Sequence, residues 1–116
     1  MKVNKFEDIV AWQKAKLLTL EIYKSFGHCR DFGFKDQIQR ASVSIMNNIA
    51  EGFERKSDVE FSRFLFIAKG SCGEVRSMIY LSFELNYISK EDSRKYYDLS
   101  IEISKLISGF IKTLKK

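Results

Sequence analysis

Phe32–Arg55 reads Phe-Gly-Phe-Lys-Asp-Gln-Ile-Gln-Arg-Ala-Ser-Val-Ser-Ile-Met-Asn-Asn-Ile-Ala-Glu-Gly-Phe-Glu-Arg, and it carries two stripes at helical spacing. Phe34, Ile38, Ala41, Ile45, Ile49 and Phe53 recur every three or four residues and make one apolar face. Gln37, Arg40, Ser44, Asn47, Asn48 and Glu51 recur at the same spacing and make a second, polar face. At 100° per residue the two faces lie roughly 130° apart. An ordinary surface helix opposes its apolar face with Lys and Glu. Amides, a hydroxyl and single charges of each sign are better suited to specific hydrogen bonds. The polar face therefore reads either as a solvated surface or as a second packing surface against a helix or another subunit. The same spacing makes Arg40, Asn47, Asn48 and Glu51, together with Glu74 on the next helix, a candidate polar network within the subunit or across an interface.

Working outward, an earlier helix runs from about residue 8 to 26. Ala11, Ala15, Leu18, Ile22 and Phe26 form its row, and Ile9, Trp12, Leu17, Leu20 and Tyr23 widen it, so it is expected to be covered on more than one side. Residues 27–31 read as a turn, and the central helix runs from about 34 to 55. Ser57-Asp58-Val59-Glu60 is a capping-box pattern that starts a third helix at Asp58, running to about residue 86. Phe61, Phe64, Leu65, Ala68, Cys72, Val75, Ile79 and Phe83 mark its buried face. Gly70 and Gly73 lie one turn apart inside it; the expectation is a close approach to Ala41, Ser42 and Ser44 of the central helix. Ser89-Lys90-Glu91-Asp92 resembles another N-cap with acids in the first turn. A fourth helix, about 90–114, follows with Tyr96, Leu99, Ile103, Leu106, Phe110 and Leu114 as its stripe. Four helices with short turns predict an all-α, antiparallel up-down-up-down four-helix bundle in one domain, residues 1–116. The expected core includes Trp12, Leu18, Ile22, Ile38, Ile45, Ile49, Phe64, Leu65, Val75, Leu99, Ile103 and Leu106.

The chemistry-bearing residues are sparse. The chain has one histidine, His28, in a predicted turn beside Cys29, so neither zinc spacing nor the Glu-x-x-His pairs of a di-iron bundle is present. Cys72 sits on an apolar stripe and reads as a small core residue. No Gly-rich loop follows a strand. Glu51 and Glu54 read as ordinary surface charges. The chain thus reads as non-enzymatic, without metal or cofactor. The two cysteines make no disulfide framework, and no apolar signal or membrane-length run is seen, which together suggest a cytoplasmic protein.

The phrase Gln37–Gly52, with its Arg-Ala-x-x-Ser-Ile-x-x-Asn-Ile-Ala-Glu-Gly core, resembles a known family: the small proteins encoded in intervening sequences of bacterial 23S ribosomal RNA genes, often labelled S23 proteins. Phe6–Ala15, Ser57–Phe61 and Ala68–Val75 carry further pieces of the resemblance, so it spans nearly the whole chain. The turn before the central helix lacks the family's common Pro. The resemblance implies an antiparallel four-helix bundle assembled into a ring-shaped homopentamer with no established enzymatic activity. The family also includes the accessory variability protein of diversity-generating retroelements, which implies a nucleic-acid partner, RNA or DNA, and a protein partner such as a reverse transcriptase.

The charge balance bears on that partner. The chain carries a formal net charge of +5, and residues 89–116 hold seven Lys or Arg against four Asp or Glu. Arg55 and Lys56, at the turn between the second and third helices, and Lys112, Lys115 and Lys116 at the end are the candidate phosphate contacts. The sixteen aromatics are expected to fall mostly on core stripes, leaving no stacking platform, so binding would follow charge and shape with little base readout. The alternative is a protein-interaction or scaffold module that makes no nucleic-acid contact.

Overall fold

The computed structural model describes residues 3–114. It is all-α: a 3₁₀ turn at Phe6–Asp8 and four long helices, α1 (Val10–Ser25), α2 (Phe32–Phe53), α3 (Asp58–Glu84) and α4 (Lys90–Leu114), with no strand among the described residues. Each helix end lies within two residues of the position read from the sequence. None of the helices is long and apolar enough to cross a membrane.

Local chemistry explains the ends. Asp31 caps α2 by accepting from the Phe34 N–H at 3.2 Å, so the helix starts two residues earlier than its apolar stripe suggested. Ser57 caps α3 by accepting from Glu60 N–H at 3.2 Å, and Ser89 Oγ accepts from Asp92 N–H at 3.0 Å at the start of α4. The end of α3 is a paired-carbonyl stop. Asn86 takes a left-handed φ of 64°, and Tyr87 N–H returns to Ser82 O at 2.8 Å while Asn86 N–H meets Phe83 O at 3.0 Å. Asparagine tolerates that conformation better than most residues carrying a Cβ. The α3–α4 and α1–α2 turns are then tied together: Tyr87 Oη donates to Asp31 Oδ2 at 2.7 Å. That bond, followed by the Phe34 N–H, holds the Asp31 carboxyl below its ordinary pKa.

Helices α1 and α3 each pack on both α2 and α4, and their backbones do not approach one another closely. Residue numbers fall along one helix as they rise along the next. Gln37 meets Glu74, Ser44 meets Ser71 and Gly52 meets Phe61; likewise Lys14 meets Glu102 and Glu21 meets Lys95. The core lies along the axis: Ala15, Leu18, Ile22, Ile38, Ile45, Ile49, Leu65, Ala68, Cys72, Val75, Ile103 and Ile107 are all buried. Buried hydroxyls find partners within it. Thr19 Oγ1 donates to Ala15 O at 2.8 Å and lies 3.1 Å from Ser42 O, and Ser25 and Tyr96 share a hydrogen bond between α1 and α4.

Three expectations are corrected here. Trp12, Phe64, Leu99 and Leu106 are only half-buried: α1 turns Ala11, Ala15, Leu18 and Ile22 inward, α3 turns Phe61, Leu65, Ala68 and Cys72, and α4 turns Tyr96, Ser100, Ile103, Ile107 and Ile111. Phe83, placed on the inner face of α3, is 41% exposed. Gly70 and Gly73 do not approach α2: a Cβ at either position would meet nothing within 4 Å. The close approach is made instead by Gly52, where a Cβ would lie 2.7 Å from Phe64 Cβ and 2.9 Å from Phe61 Cδ1.

Candidate nucleic-acid and assembly surfaces

The polar stripe of α2 splits into separate pairs within one subunit. Gln37 donates to Glu74 Oε2 at 3.1 Å across α2 and α3. Asn48 Nδ2 donates to Ser44 O at 2.8 Å and to Ser44 Oγ at 3.0 Å, and Ser44 Oγ pairs with Ser71 Oγ at 2.9 Å. Arg40 pairs with Asp36 at 2.8 Å one turn back, and its side chain is 79% exposed. Glu51 pairs with Arg55 at 2.9 Å, and Asn47 is exposed. Tyr23, Arg40, Val43, Ser44, Asn47 and Asn48 line one shallow groove between α1 and α2. Because Arg40 is held only by an exposed pair one turn away, Arg40→Met in an isolated subunit is expected to cost no more than about 0.5 kcal/mol. Chemical denaturation at low protein concentration checks this.

The structure brings the α2–α3 turn, with Arg55, and the described end of α4 to one end of the molecule. Phe53, Arg55, Ser57, Asp58 and Phe61 of the α2–α3 region line a single hollow with Thr113 and Leu114 of α4. Arg55 is already engaged there: it pairs with Glu51, approaches Glu60 at 3.8 Å and lies 4.7 Å over the Phe64 ring. Lys56 and Lys112 are exposed, and neither makes an ion pair among the described residues. Lys115 and Lys116 lie outside the described residues.

Several surface features were not legible in the sequence. Aromatics stand outside the core: Tyr23, Phe32, Phe66, Tyr80 and Phe83 are all exposed. Tyr80 and Phe83 line a groove between α3 and α4 with Ile79, Lys90, Ser93, Arg94 and Tyr97. Phe83 continues the apolar row of α3 and Tyr80 lies one residue off it, but the buried face of α3 there runs through Val75, Met78, Ile79 and Ser82, which leaves both rings exposed.

Two helix faces are also exposed and apolar. On α1 the row Val10, Gln13, Leu17, Leu20 leaves its aliphatic members 45–59% exposed. On α3 the row Val59, Arg63, Ile67, Gly70, Glu74, Ser77, Leu81 leaves its aliphatic members 48–73% exposed, around a glycine with open space above it. These rows belong to the two helices whose backbones do not approach one another closely.

No three His, Cys, Asp or Glu side chains gather as metal ligands among the described residues. His28 is exposed. Burial pushes the Cys72 thiol up to about 11, and its Sγ donates to Ser100 O at 3.1 Å. A thiol reagent at neutral pH is therefore expected to label half-buried Cys29 and to reach Cys72 only on unfolding. Labelling of both cysteines at one rate in the native protein would contradict that placement.

The model of the 23S rRNA-intervening sequence protein family matches residues 7–109. Among solved structures, the chain is similar to a protein with unknown function from the S23 ribosomal protein family of Bacteroides thetaiotaomicron. Sequence identity is 28% and the TM-score 0.82, over 88% of this chain and 98% of that one. No curated protein matches the chain.

Proposed function

The chain belongs to the 23S rRNA-intervening sequence protein family, and from that premise we propose that it is a non-enzymatic nucleic-acid-binding protein that works as a ring of identical subunits. Each subunit is an antiparallel up-down-up-down bundle, and the ring is a homopentamer, as the resemblance implies. It acts in the cytoplasm, where its two unpaired cysteines stay reduced.

The observation that carries this reading is the pair of exposed apolar rows on α1 and α3. A closed ring needs two different, complementary surfaces on each subunit, whereas a two-fold dimer needs one. Large exposed apolar faces on a soluble domain mark interaction surfaces. The rows also complement each other. Leu17 and Leu20 project from α1, and Gly70 leaves open space on α3 where a neighbour's side chain can lie. The α1 helix carries Lys14, Lys16 and Lys24 against the single acid Glu21, while the α3 row carries one charge of each sign, Arg63 and Glu74.

A ring multiplies weak phosphate contacts. Each chain brings a net charge of +5, and several subunits on one strand act at high effective concentration. Arg55, Lys56, Lys112, Lys115 and Lys116 are the proposed contacts; Arg55 and the described end of α4 lie at the same end of the bundle. Readout there is by charge and shape.

Salt-titrated binding of full-length protein to duplex DNA and structured RNA tests the reading. Deleting Lys112–Lys116 removes three positive charges and leaves +2 per chain. Affinity should fall, and the slope of log K against log salt should flatten by up to about 0.9 per lost duplex contact. No binding by the full-length protein near about 50 mM salt, well within the range where such contacts are strong, would reject nucleic acid as the partner. The molecule would then be a protein-interaction module, with a reverse transcriptase as the partner the resemblance implies.

A further inference from the structure

The groove between the C-terminal half of α3 and the N-terminal half of α4 has a composition that general phosphate binding does not require. Its volume is about 340 Å³, enough for one nucleoside-sized group. One wall is aromatic: Tyr80 and Tyr97 meet edge to face at 5.4 Å between ring centres, and Phe83 stands beside them. Tyr80 is 60% exposed. Lys90 and Arg94 of α4 also line the groove, with Ser93 between them in sequence. Neither cation makes an ion pair among the described residues, and no carboxylate lines the groove. Arg76, one turn before Tyr80 on α3, acts electrostatically on the Tyr80 hydroxyl and adds a third positive charge nearby.

A flat π surface beside two unpaired cations matches a ligand with a flat ring and an adjacent anion. Single-stranded nucleic acid presents that pair at every residue, whereas duplex keeps its bases stacked within itself. We propose that this groove is a subsite for an unpaired nucleotide of single-stranded RNA or DNA. The base stacks on the exposed ring of Tyr80 against Phe83, and the flanking phosphates are held by Lys90 and Arg94. The proposal rests on the nucleic-acid reading above and adds an unpaired-strand preference to it. Tyr80 turns toward α4, so the subsite lies beside the α3 row and leaves that row free for assembly.

The test measures binding of a fluorescent pyrimidine single strand, an abasic strand of equal length and charge, a mononucleotide and a duplex. Wild type is expected to prefer the base-bearing strand over the abasic one. Tyr80→Ala is expected to lose roughly tenfold or more in affinity for the base-bearing strand, within the range for loss of one stacked base. Tyr80→Phe should retain it, and duplex affinity should not change. Lys90→Gln with Arg94→Gln should weaken single-strand and abasic-strand binding alike. Native mass and helical circular dichroism for each variant identify any failure to fold, and Tyr80→Phe keeps the ring in place if the alanine variant is unstable. Binding of the mononucleotide alone, without the strand, would overturn the strand assignment in favour of a free-nucleotide site. Equal affinity of wild type and Tyr80→Ala for the base-bearing strand, with duplex binding intact, would overturn the subsite and leave the charge-driven reading standing. Failure of wild type to bind any of these ligands would remove both.

Discussion

Ile107→Ala is expected to lower the free energy of unfolding by about 2–5 kcal/mol, and Leu106→Ala by roughly half that or less. The two side chains are neighbours of nearly equal size in α4, and both belong to apolar rows at helical spacing. Only one row faces the axis. Ile107 is fully buried between Ile103 and Ile111, while Leu106 is half-buried at the edge of the core. Truncating Ile107 removes a side chain from a site closed on every side and leaves a cavity. Truncating Leu106 removes partial burial, and solvent can relax into the gap. Denaturant titration at one fixed protein concentration measures both, because the proposed assembly would make stability depend on concentration. Equal losses would mean that α4 is rotated from the orientation described.

Gly52→Ala is the second large effect. At an exposed helical position, replacing glycine with alanine gains about 1 kcal/mol. At Gly52 the sign reverses. The new methyl would lie 2.7 Å from Phe64 Cβ and 3.3 Å from Phe61 O, neither of which is the free end of a flexible side chain. Helices α2 and α3 must move apart at their shared turn, and overpacking of this kind costs about 1–3 kcal/mol. Gly70→Ala is the matched control, since its Cβ enters open space in a single subunit. The pair should separate in thermal melts, Gly52→Ala melting below wild type. A Gly52→Ala protein as stable as wild type would show that the α2–α3 contact is looser than drawn.

That contrast shows where sequence reading stops. The helices were legible because apolar spacing, the Ser57 and Ser89 caps and the lack of strand-like alternation all agree, and Ile38, Ile45 and Ile49 fall in the core as read. On α4 two apolar rows run side by side. The buried one passes through Ser100, a polar residue that a hydrophobicity pattern discounts. Its hydroxyl is satisfied by Tyr97 O at 2.7 Å, so it can be buried at little cost. Glycines carry no side chain to reveal their direction, so Gly70 and Gly73 looked like packing contacts although they face open space, and Gly52 showed no sign of its tight contact. On α1 the signal was present. Leu17, Leu20 and Tyr23 predicted a helix covered on several sides, and within one chain they remain exposed. The α3–α4 groove could not be read at all, because Tyr80 and Arg94 are brought together only by the turn at Asn86.

Native mass spectrometry of wild type and Gly70→Leu tests the central claim most directly. A leucine at position 70 enters open space in an isolated subunit and occupies the space proposed to receive the neighbouring α1. The account predicts a wild-type species of five times the 13.6 kDa chain, and a Gly70→Leu species of a single chain with helical content retained. A single-chain wild type, or a Gly70→Leu assembly of unchanged mass, would contradict it.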